Sequence, residues 1–374
     1  MKINTKMLTL LMTALGAQAE EIAIDYSGNL RFGAQYHDSQ TRGSDIALGG
    51  HLHAQTAPIQ GLSFGTSLYT TNVLFEKNDA FAVPYFGDKS ESYSILSEAY
   101  MQFVYEKSTF VAGRQMLDTP FADSDDIGMI PNSFEAYTLV NESVEDTTLV
   151  YSFVRKMSGV DADIPQKFSE INGGSGVHAV GLSYDGIADV SLSGWFYAMP
   201  HFANIIYGEV GYERTLEGFT WSVLGQGAVE DFKVGESAKV FGFATTLGHE
   251  KTAISLHLAY DKSLDAAAIN GFGGGPYFVN CEHMTLADVG KDGSIVHYGL
   301  EWDASSVSVE GLSVALSKAS LEDGASHAGD EVDIVLSYVA NKALTFDAIY
   351  STLDNSKISG DTFDNLRVFA NYSF

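Results

Sequence analysis

The sequence predicts an all-β fold, a transmembrane antiparallel β-barrel of about 18 strands with an inward-folded third long loop. Three observations support this prediction. The C-terminal strand alternates apolar and polar residues, the same alternation recurs along the chain, and long connections take turns with short ones. Period-2 alternation places an apolar and a polar face on each strand. No stretch approaches the ~18 consecutive apolar residues of a membrane-spanning helix, which excludes a helical membrane protein.

The C-terminal strand shows the alternation most clearly. Apolar side chains occupy every second position from Leu366 to Phe374, and polar residues such as Arg367 lie between them, with Phe369 as the exception. A terminal strand that finishes on an aromatic residue is typical of the closing strand of an outer-membrane barrel. We therefore expect Tyr372 and Phe374 to form a barrel-assembly signal.

The N-terminal segment has the features of a secretory signal peptide. Two lysines precede an apolar stretch at 7–15, and the small residues Ala17-Gln18-Ala19 follow it as a cleavage site. The sequence thus predicts a signal peptide over residues 1–19 and a barrel domain over residues 20–374. The alternative is an amphipathic helix of a cytoplasmic protein.

Composition narrows the class of partner. The chain is 45% hydrophobic and 12% aromatic, which suits a barrel with aromatic girdles, and its net charge is −27. Nucleic-acid binding requires a basic surface, so the charge argues against it. Divalent cations could instead bridge the acidic protein to outer-membrane lipid and lipopolysaccharide. The single cysteine, Cys281, rules out an intramolecular disulfide.

Strand number follows from the connections. Short turns include residues 106–108, 215–218 and 341–343. Nine longer connections each join an outgoing strand to a returning one, which predicts about 18 strands, with 16 as the alternative. A barrel of this width can hold an aqueous channel, whereas side chains fill one of eight strands. We place the longer connections near 38–45, 71–94, 116–133, 157–176, 199–203, 229–238, 261–295, 320–330 and 353–364.

The third long loop, residues 116–133, carries more apolar side chains than a solvated loop needs. Such a loop can fold back into the barrel and pack against its wall. Its acidic residues would then lie in a constriction, where a ring of carboxylates selects cations. Arg114, just before the loop, could face these acids across the lumen. The alternative is an exposed acidic loop. The predicted constriction residues are Arg114, Asp118, Asp123, Asp125 and Asp126.

Two segments resemble the OprD-type (Opr family) outer-membrane porins. The first is 97–137, with EAYMQF, GRQMLDTPF, the acidic run and Ile130-Pro131, and the second is the glycine-rich loop at 271–278. The resemblance implies an 18-strand porin with an inward third loop that passes small water-soluble nutrients. The chain departs from the pattern in one respect. Many members have an arginine before the Leu-Pro of the third loop, whereas this chain has none at 126–131.

The sequence contains only six arginines, so the basic pore wall of carboxylate-selective members is reduced here. Arg31 and Arg367 have the parity of lumen-facing residues, as do Asp261 and Glu301, and these four are the predicted pore wall. An indifferent or cation-preferring pore suits these residues better than a carboxylate-selective one.

The expected function is therefore an outer-membrane porin for passive diffusion of small hydrophilic solutes and ions. Barrel-assembly machinery is the expected partner, and a homotrimer is an open alternative to a monomer. The alternative functions are an adhesin or structural barrel and an outer-membrane hydrolase, although no G-x-S-x-G motif is present. No cofactor is expected. The alternatives are a structural Ca²⁺ near Asp123, Asp125 and Asp126 and metal chelation by His51 and His53.

Overall fold

The computed structural model describes residues 23–39, 42–77, 91–324, 326–355 and 361–374. Within these ranges, eighteen long antiparallel strands form one closed barrel. They are β1 (Ile24–Asp38), β2 (Arg42–Thr56), β3 (Leu62–Lys77), β4 (Tyr93–Tyr105), β5 (Ser108–Gln115), β6 (Ser133–Asn141), β7 (Thr147–Ser158), β8 (Val177–Ile187), β9 (Val190–Met199), β10 (Ala203–Leu216), β11 (Phe219–Phe232), β12 (Ala238–His249), β13 (Ile254–Leu264), β14 (Ser294–Asp303), β15 (Leu312–Asp323), β16 (Ser326–Asn341), β17 (Leu344–Asn355) and β18 (Asp361–Ser373).

Little regular structure lies outside these strands in the described residues. A two-residue strand, Ser169–Glu170, pairs with the end of β7, and the short helices are Asn172–Gly174, Leu286–Val289 and Ala304–Val307. No helix among the described residues is long and apolar enough to cross a bilayer. The predicted signal peptide, residues 1–19, lies outside the described residues, so its cleavage stays a prediction.

The barrel closes between its first and last strands. β1 pairs antiparallel with β18, and Leu30 lies opposite Tyr372. The register continues to the C-terminus, where the amides of Gly28 and Phe374 each donate to the other residue's carbonyl oxygen at 3.0 Å. Eighteen strands are therefore confirmed over the alternative of sixteen.

Side-chain alternation matches the predicted pattern. On β1, Leu30 and Tyr36 are exposed on the outer surface, whereas Gln35 and His37 are buried on the inner side. A similar division holds on β13, β14, β16 and β18, where outward aliphatic and aromatic residues alternate with inward residues that are mostly polar, with apolar exceptions such as Ile295 and Phe369. An apolar exterior and a polar interior invert the arrangement of a water-soluble domain and match that of a membrane barrel.

The nine predicted long connections all lie between the expected strands, but several are shorter than predicted. The segments 38–45 and 320–330 were expected to be loops, yet β2 begins at Arg42 and β15 and β16 extend to Asp323 and from Ser326. The segment 71–94 is also partly strand, because β3 continues to Lys77. Glycine and polar residues are common in these hairpins, as they are in loops, so composition alone indicates a loop there. Residues 78–90 and 356–360 lie outside the described ranges.

Removing Phe374 should impair assembly of the barrel. Deletion removes the two closing hydrogen bonds with Gly28 and the terminal aromatic ring. We expect the deletion variant and Phe374→Asp to lose most of the heat-modifiable band on unheated gels, and Phe374→Trp to retain it. Normal assembly of the deletion variant would show that the terminal aromatic residue is dispensable.

Candidate functional site

The third loop, residues 116–132 between β5 and β6, folds into the barrel. Phe121 anchors it, since only 1% of this side chain is exposed and its ring packs edge-on against three tyrosines. The ring centroids lie 5.1 Å from Tyr197, 6.1 Å from Tyr207 and 6.2 Å from Tyr277. Aromatic pairs at this range add to the stabilisation from burial. Leu117, Met129 and Ile130 are buried as well, so the predicted inward fold is confirmed.

Two arginines of the barrel wall hold the opposite side of the third loop. Arg31 on β1 donates two hydrogen bonds to the Asp126 carboxylate, at 2.5 and 2.8 Å, and a third to the Gly128 carbonyl oxygen at 2.7 Å. Arg367 on β18 donates to the Ile127 carbonyl oxygen at 3.3 Å. A bidentate arginine–carboxylate pair fixes geometry as well as charge. The segment 126–128 therefore has a defined position against the wall.

The seventh loop, residues 265–293 between β13 and β14, also folds inward. Carboxylates on three strands of the wall accept hydrogen bonds from its backbone amides. Glu230 accepts from Ile269 at 3.3 Å, Asp261 from Val279 at 2.5 Å and Glu331 from His283 at 2.8 Å. All three side chains are fully buried. A buried carboxylate is tolerated when it is hydrogen-bonded, and here the loop supplies those donors.

The third and seventh loops are joined to each other. The amide of Asp123 donates to the carbonyl oxygen of Phe272 at 3.1 Å. The amide of Phe272 in turn donates to the carbonyl oxygen of Phe121 at 3.0 Å. The third loop also bonds the fourth, residues 159–176, because the Asn132 side chain donates to the Asp161 carboxylate at 2.6 Å. Three loops thus form one hydrogen-bonded structure inside the barrel.

Two cavities with charged lining residues lie beside these loops. The loop cavity, about 410 Å³, lies between the third, fourth and seventh loops. No lysine or arginine is among the described residues that line it, and its titratable side chains are Asp125, Asp161, Cys281, Glu282, His283 and Asp288. The wall cavity, about 270 Å³, lies between the third loop and the barrel wall. Its charged residues are Arg31, Asp126, Glu282, Asp347 and Arg367.

The four predicted acids of the third loop divide into two pairs. Asp125 lines the loop cavity and Asp126 lines the wall cavity. Asp118 accepts hydrogen bonds from the amide and hydroxyl of Ser124, and Asp123 accepts from the amide of Asp125. Asp118 and Asp123 line neither cavity, and their side-chain hydrogen bonds lie within the third loop.

The three predicted arginines do not all contact the third loop in the same way. Arg31 and Arg367 face the interior and contact the third loop. Arg114 instead lies 4.3 Å from the centroid of the Phe168 ring and donates to the Leu96 carbonyl oxygen at 3.0 Å. The structure therefore brings Arg31, and not Arg114, together with an acid of this loop.

The two predicted wall acids occupy different levels of the barrel. Asp261 faces the interior but is covered by the seventh loop, whose Val279 amide it binds. Glu301 is exposed near the short turn 250–253, where it lines a separate cavity with His249 and Asp303. Neither residue lines the loop cavity or the wall cavity.

Burial changes the titration of two loop residues in or beside the loop cavity. Desolvation, followed by the neighbouring Asp161 carboxylate, raises the pKa of Asp125 to about 7. Desolvation, with the nearby charge of Arg367, lowers the pKa of His283 to about 3. His283 is therefore neutral at physiological pH, whereas Asp125 changes charge within the physiological range.

Sequence reasoning missed Asp161, Glu282 and Asp288 as lining residues. Glu282 pairs with Arg367, which was already expected in the lumen. The charge complementarity of these two residues was the available signal, but nothing local connects positions so far apart in the chain.

The histidine pair of β2 does not form a metal site with its neighbours. His53 Nδ1 lies 2.7 Å from the Ser67 hydroxyl, and His51 stacks on Tyr69 with centroids 4.7 Å apart. In the part of the chain that the structure describes, no three His, Cys, Asp or Glu side chains are grouped as metal ligands. The calcium site considered at the acids of the third loop gains no support from this geometry and stays a prediction.

No model of a known protein family and no curated protein matches the sequence. Solved structures match over nearly the whole chain. Pseudomonas aeruginosa OpdK, crystallised with vanillate, has a TM-score of 0.80 at 13% identity and covers 94% of this chain and 98% of its own. Acinetobacter baumannii OccAB4 has a TM-score of 0.80 at 15% identity and covers 96% of this chain and 100% of its own. Pseudomonas aeruginosa OccD3 has a TM-score of 0.73 at 19% identity and covers 93% of this chain and 91% of its own. The match shows the fold, and the resemblance in fold to OprD-type porins is confirmed.

Proposed function

We propose that the chain forms a water-filled channel in the bacterial outer membrane through which small hydrophilic solutes and ions diffuse passively. One observation carries the proposal. Two abutting cavities with charged linings lie inside a closed barrel whose outer surface is apolar. An exterior suited to lipid and an interior suited to water are the two requirements of a transmembrane pore. The fold shared with outer-membrane channels supports the same function.

We propose that the inward loops determine selectivity. Acidic side chains from the third, fourth and seventh loops line the loop cavity. The two arginines of the wall cavity are each paired with a carboxylate of the chain itself, Arg31 with Asp126 and Arg367 with Glu282. OpdK was crystallised with vanillate, an organic anion. In this chain the pairing reduces the positive charge available to such a solute, so we infer a modest preference for cations.

An enzymatic function has less support. A nucleophile, a base and an acid lie near one another at Ser67, His53 and Glu98, on adjacent strands. Ser67 donates to Glu98 and lies between the two other groups, whereas a catalytic serine donates to a histidine that the acid orients from its far side. Only 1% of Ser67 is exposed, so a substrate has no access to its hydroxyl. We propose that this trio links three strands of the wall.

The adhesin or structural-barrel alternative predicts a barrel without an open path. Purified protein in planar lipid bilayers should therefore distinguish the two functions. We expect step-like increases in current, each corresponding to one inserted channel, with linear current–voltage behaviour at low voltage. Heat-denatured protein is the control. Insertion without current would favour the structural alternative. Binding to lipopolysaccharide, delivery by the assembly machinery and a homotrimeric state stay predictions.

A further inference from the structure

The loop cavity and the wall cavity meet at two residues. Among the described lining residues, only Ile127 and Glu282 belong to both cavities. The two side chains come from different loops, Ile127 from the third and Glu282 from the seventh. The two cavities therefore adjoin where these side chains lie.

Ile127 is exposed, whereas three other large apolar residues of the third loop are buried. Its side chain is 37% exposed, whereas those of Phe121, Met129 and Ile130 are each 1% exposed. These buried residues pack the loop against the wall, so the exposed isoleucine is not needed for that packing. Its own main chain is held, since Arg367 binds its carbonyl oxygen and Arg31 binds both neighbouring residues. Ile127 is thus an apolar side chain at a fixed position in a polar lumen.

Glu282 is held at the same place by the same arginine. One guanidinium nitrogen of Arg367 donates to the Ile127 carbonyl oxygen and the other pairs with the Glu282 carboxylate. Arg367 is only 3% exposed, and the next residue of the seventh loop, His283, is fixed by Glu331 on the wall. The two loops therefore meet at a rigid point, and the width of the passage there depends on the two side chains rather than on loop movement.

We propose that Ile127 and Glu282 form the neck of the channel, with Ile127 limiting the size of the solute and Glu282 biasing its charge. The inference rests on the proposed channel function. An apolar side chain in a narrow wet passage excludes bulky solutes by its volume and disfavours ions that keep a full hydration shell. The carboxylate beside it neutralises Arg367, so the neck holds no unpaired positive charge that would favour anions. The solute class is therefore small, hydrophilic and not anionic.

Substitutions at Ile127 test the size limit. Ile127→Trp should lower single-channel conductance to roughly half, and Ile127→Ala should raise it and admit larger sugars in liposome-swelling assays. Val144→Trp is the matched control, because Val144 is an exposed apolar residue on a short turn, 142–146, away from both cavities. Heat-modifiable migration of each variant verifies that the barrel has formed.

A second pair of variants tests the charge. Glu282→Gln should shift the reversal potential in a KCl gradient towards Cl⁻, because it removes a carboxylate and releases the charge of Arg367. Glu145→Gln, on the same short turn as Val144, should leave the potential unchanged. If wild-type channels conduct but the Ile127 variants match them in conductance and size limit, the proposed neck is wrong and the proposed channel function is retained. A folded wild-type barrel without conductance would overturn both.

Discussion

Replacing Phe121 with alanine should release the third loop while leaving the barrel closed. The ring is buried against Tyr197, Tyr207 and Tyr277, and it lies in a loop rather than in the strand ladder. Truncation of a buried phenylalanine costs about 3–5 kcal/mol. That cost falls on the attachment of the loop and not on the closure between β1 and β18. We therefore expect a wider channel with noisier current and a barrel that still migrates as a folded species.

Thiol labelling measures this release directly. Met129→Cys in a Cys281→Ser background places a single thiol at a buried position of the third loop. With Phe121 present, a bulky impermeant reagent should react slowly. With Phe121→Ala the rate should rise by about 100-fold, the factor that corresponds to roughly 3 kcal/mol of lost stabilisation. Phe219→Ala removes an exposed phenylalanine at the start of β11 and should leave the rate unchanged. Equal rates in all three proteins would mean that other contacts hold the loop.

Cation preference should strengthen as the pH rises from 6 to 8. The pKa of Asp125 is raised to about 7, so its carboxyl group is mostly protonated and neutral at pH 6 and mostly ionised at pH 8. Each added negative charge beside the lumen attracts K⁺ and repels Cl⁻. We expect the K⁺/Cl⁻ permeability ratio, measured from the reversal potential in a KCl gradient, to increase about twofold over this interval. At 1 M salt the effect should weaken, because the Debye length falls to ~3 Å.

Asp125→Asn should remove most of this pH dependence and lower the ratio at pH 8. Asp118→Asn is the matched control, since Asp118 lies in the same loop but is bound to Ser124 and lines neither cavity. A reversal potential that favours Cl⁻ in the wild type would instead support a basic pore wall. Arg31 and Arg367 would then be the residues to substitute next.

The fold was predictable because its signal is local and repeated. Alternation over a single strand, such as Leu30 to His37, is enough to assign inner and outer faces, and both Arg31 and Arg367 contact the third loop inside the barrel. The inward third loop was predictable for a similar reason, since buried residues such as Phe121 and Ile130 are apolar in a segment that also contains many acids.

The partners of the interior residues were not predictable in the same way. Parity shows that Asp261 points inward but not that the seventh loop covers it, because that contact depends on the course of a 29-residue connection. Arg114 follows Gly113, whose φ is +125°, and β6 shows a register shift beside the facing Glu135. Such irregularities break the simple alternation, so the direction of the Arg114 side chain could not be derived from its position.

The carboxylates that hold the seventh loop bind its main chain at Ile269, Val279 and His283. Every residue except proline carries the same amide group, so these attachments do not depend on which side chains the loop bears at those points. Apart from Glu282, whose side chain binds Arg367, the side chains of the seventh loop that line the loop cavity could therefore be replaced one at a time while the course of the loop stayed the same. The wall carboxylates would keep the loop in place during evolution, while substitutions in the loop would change which solutes the cavity accepts.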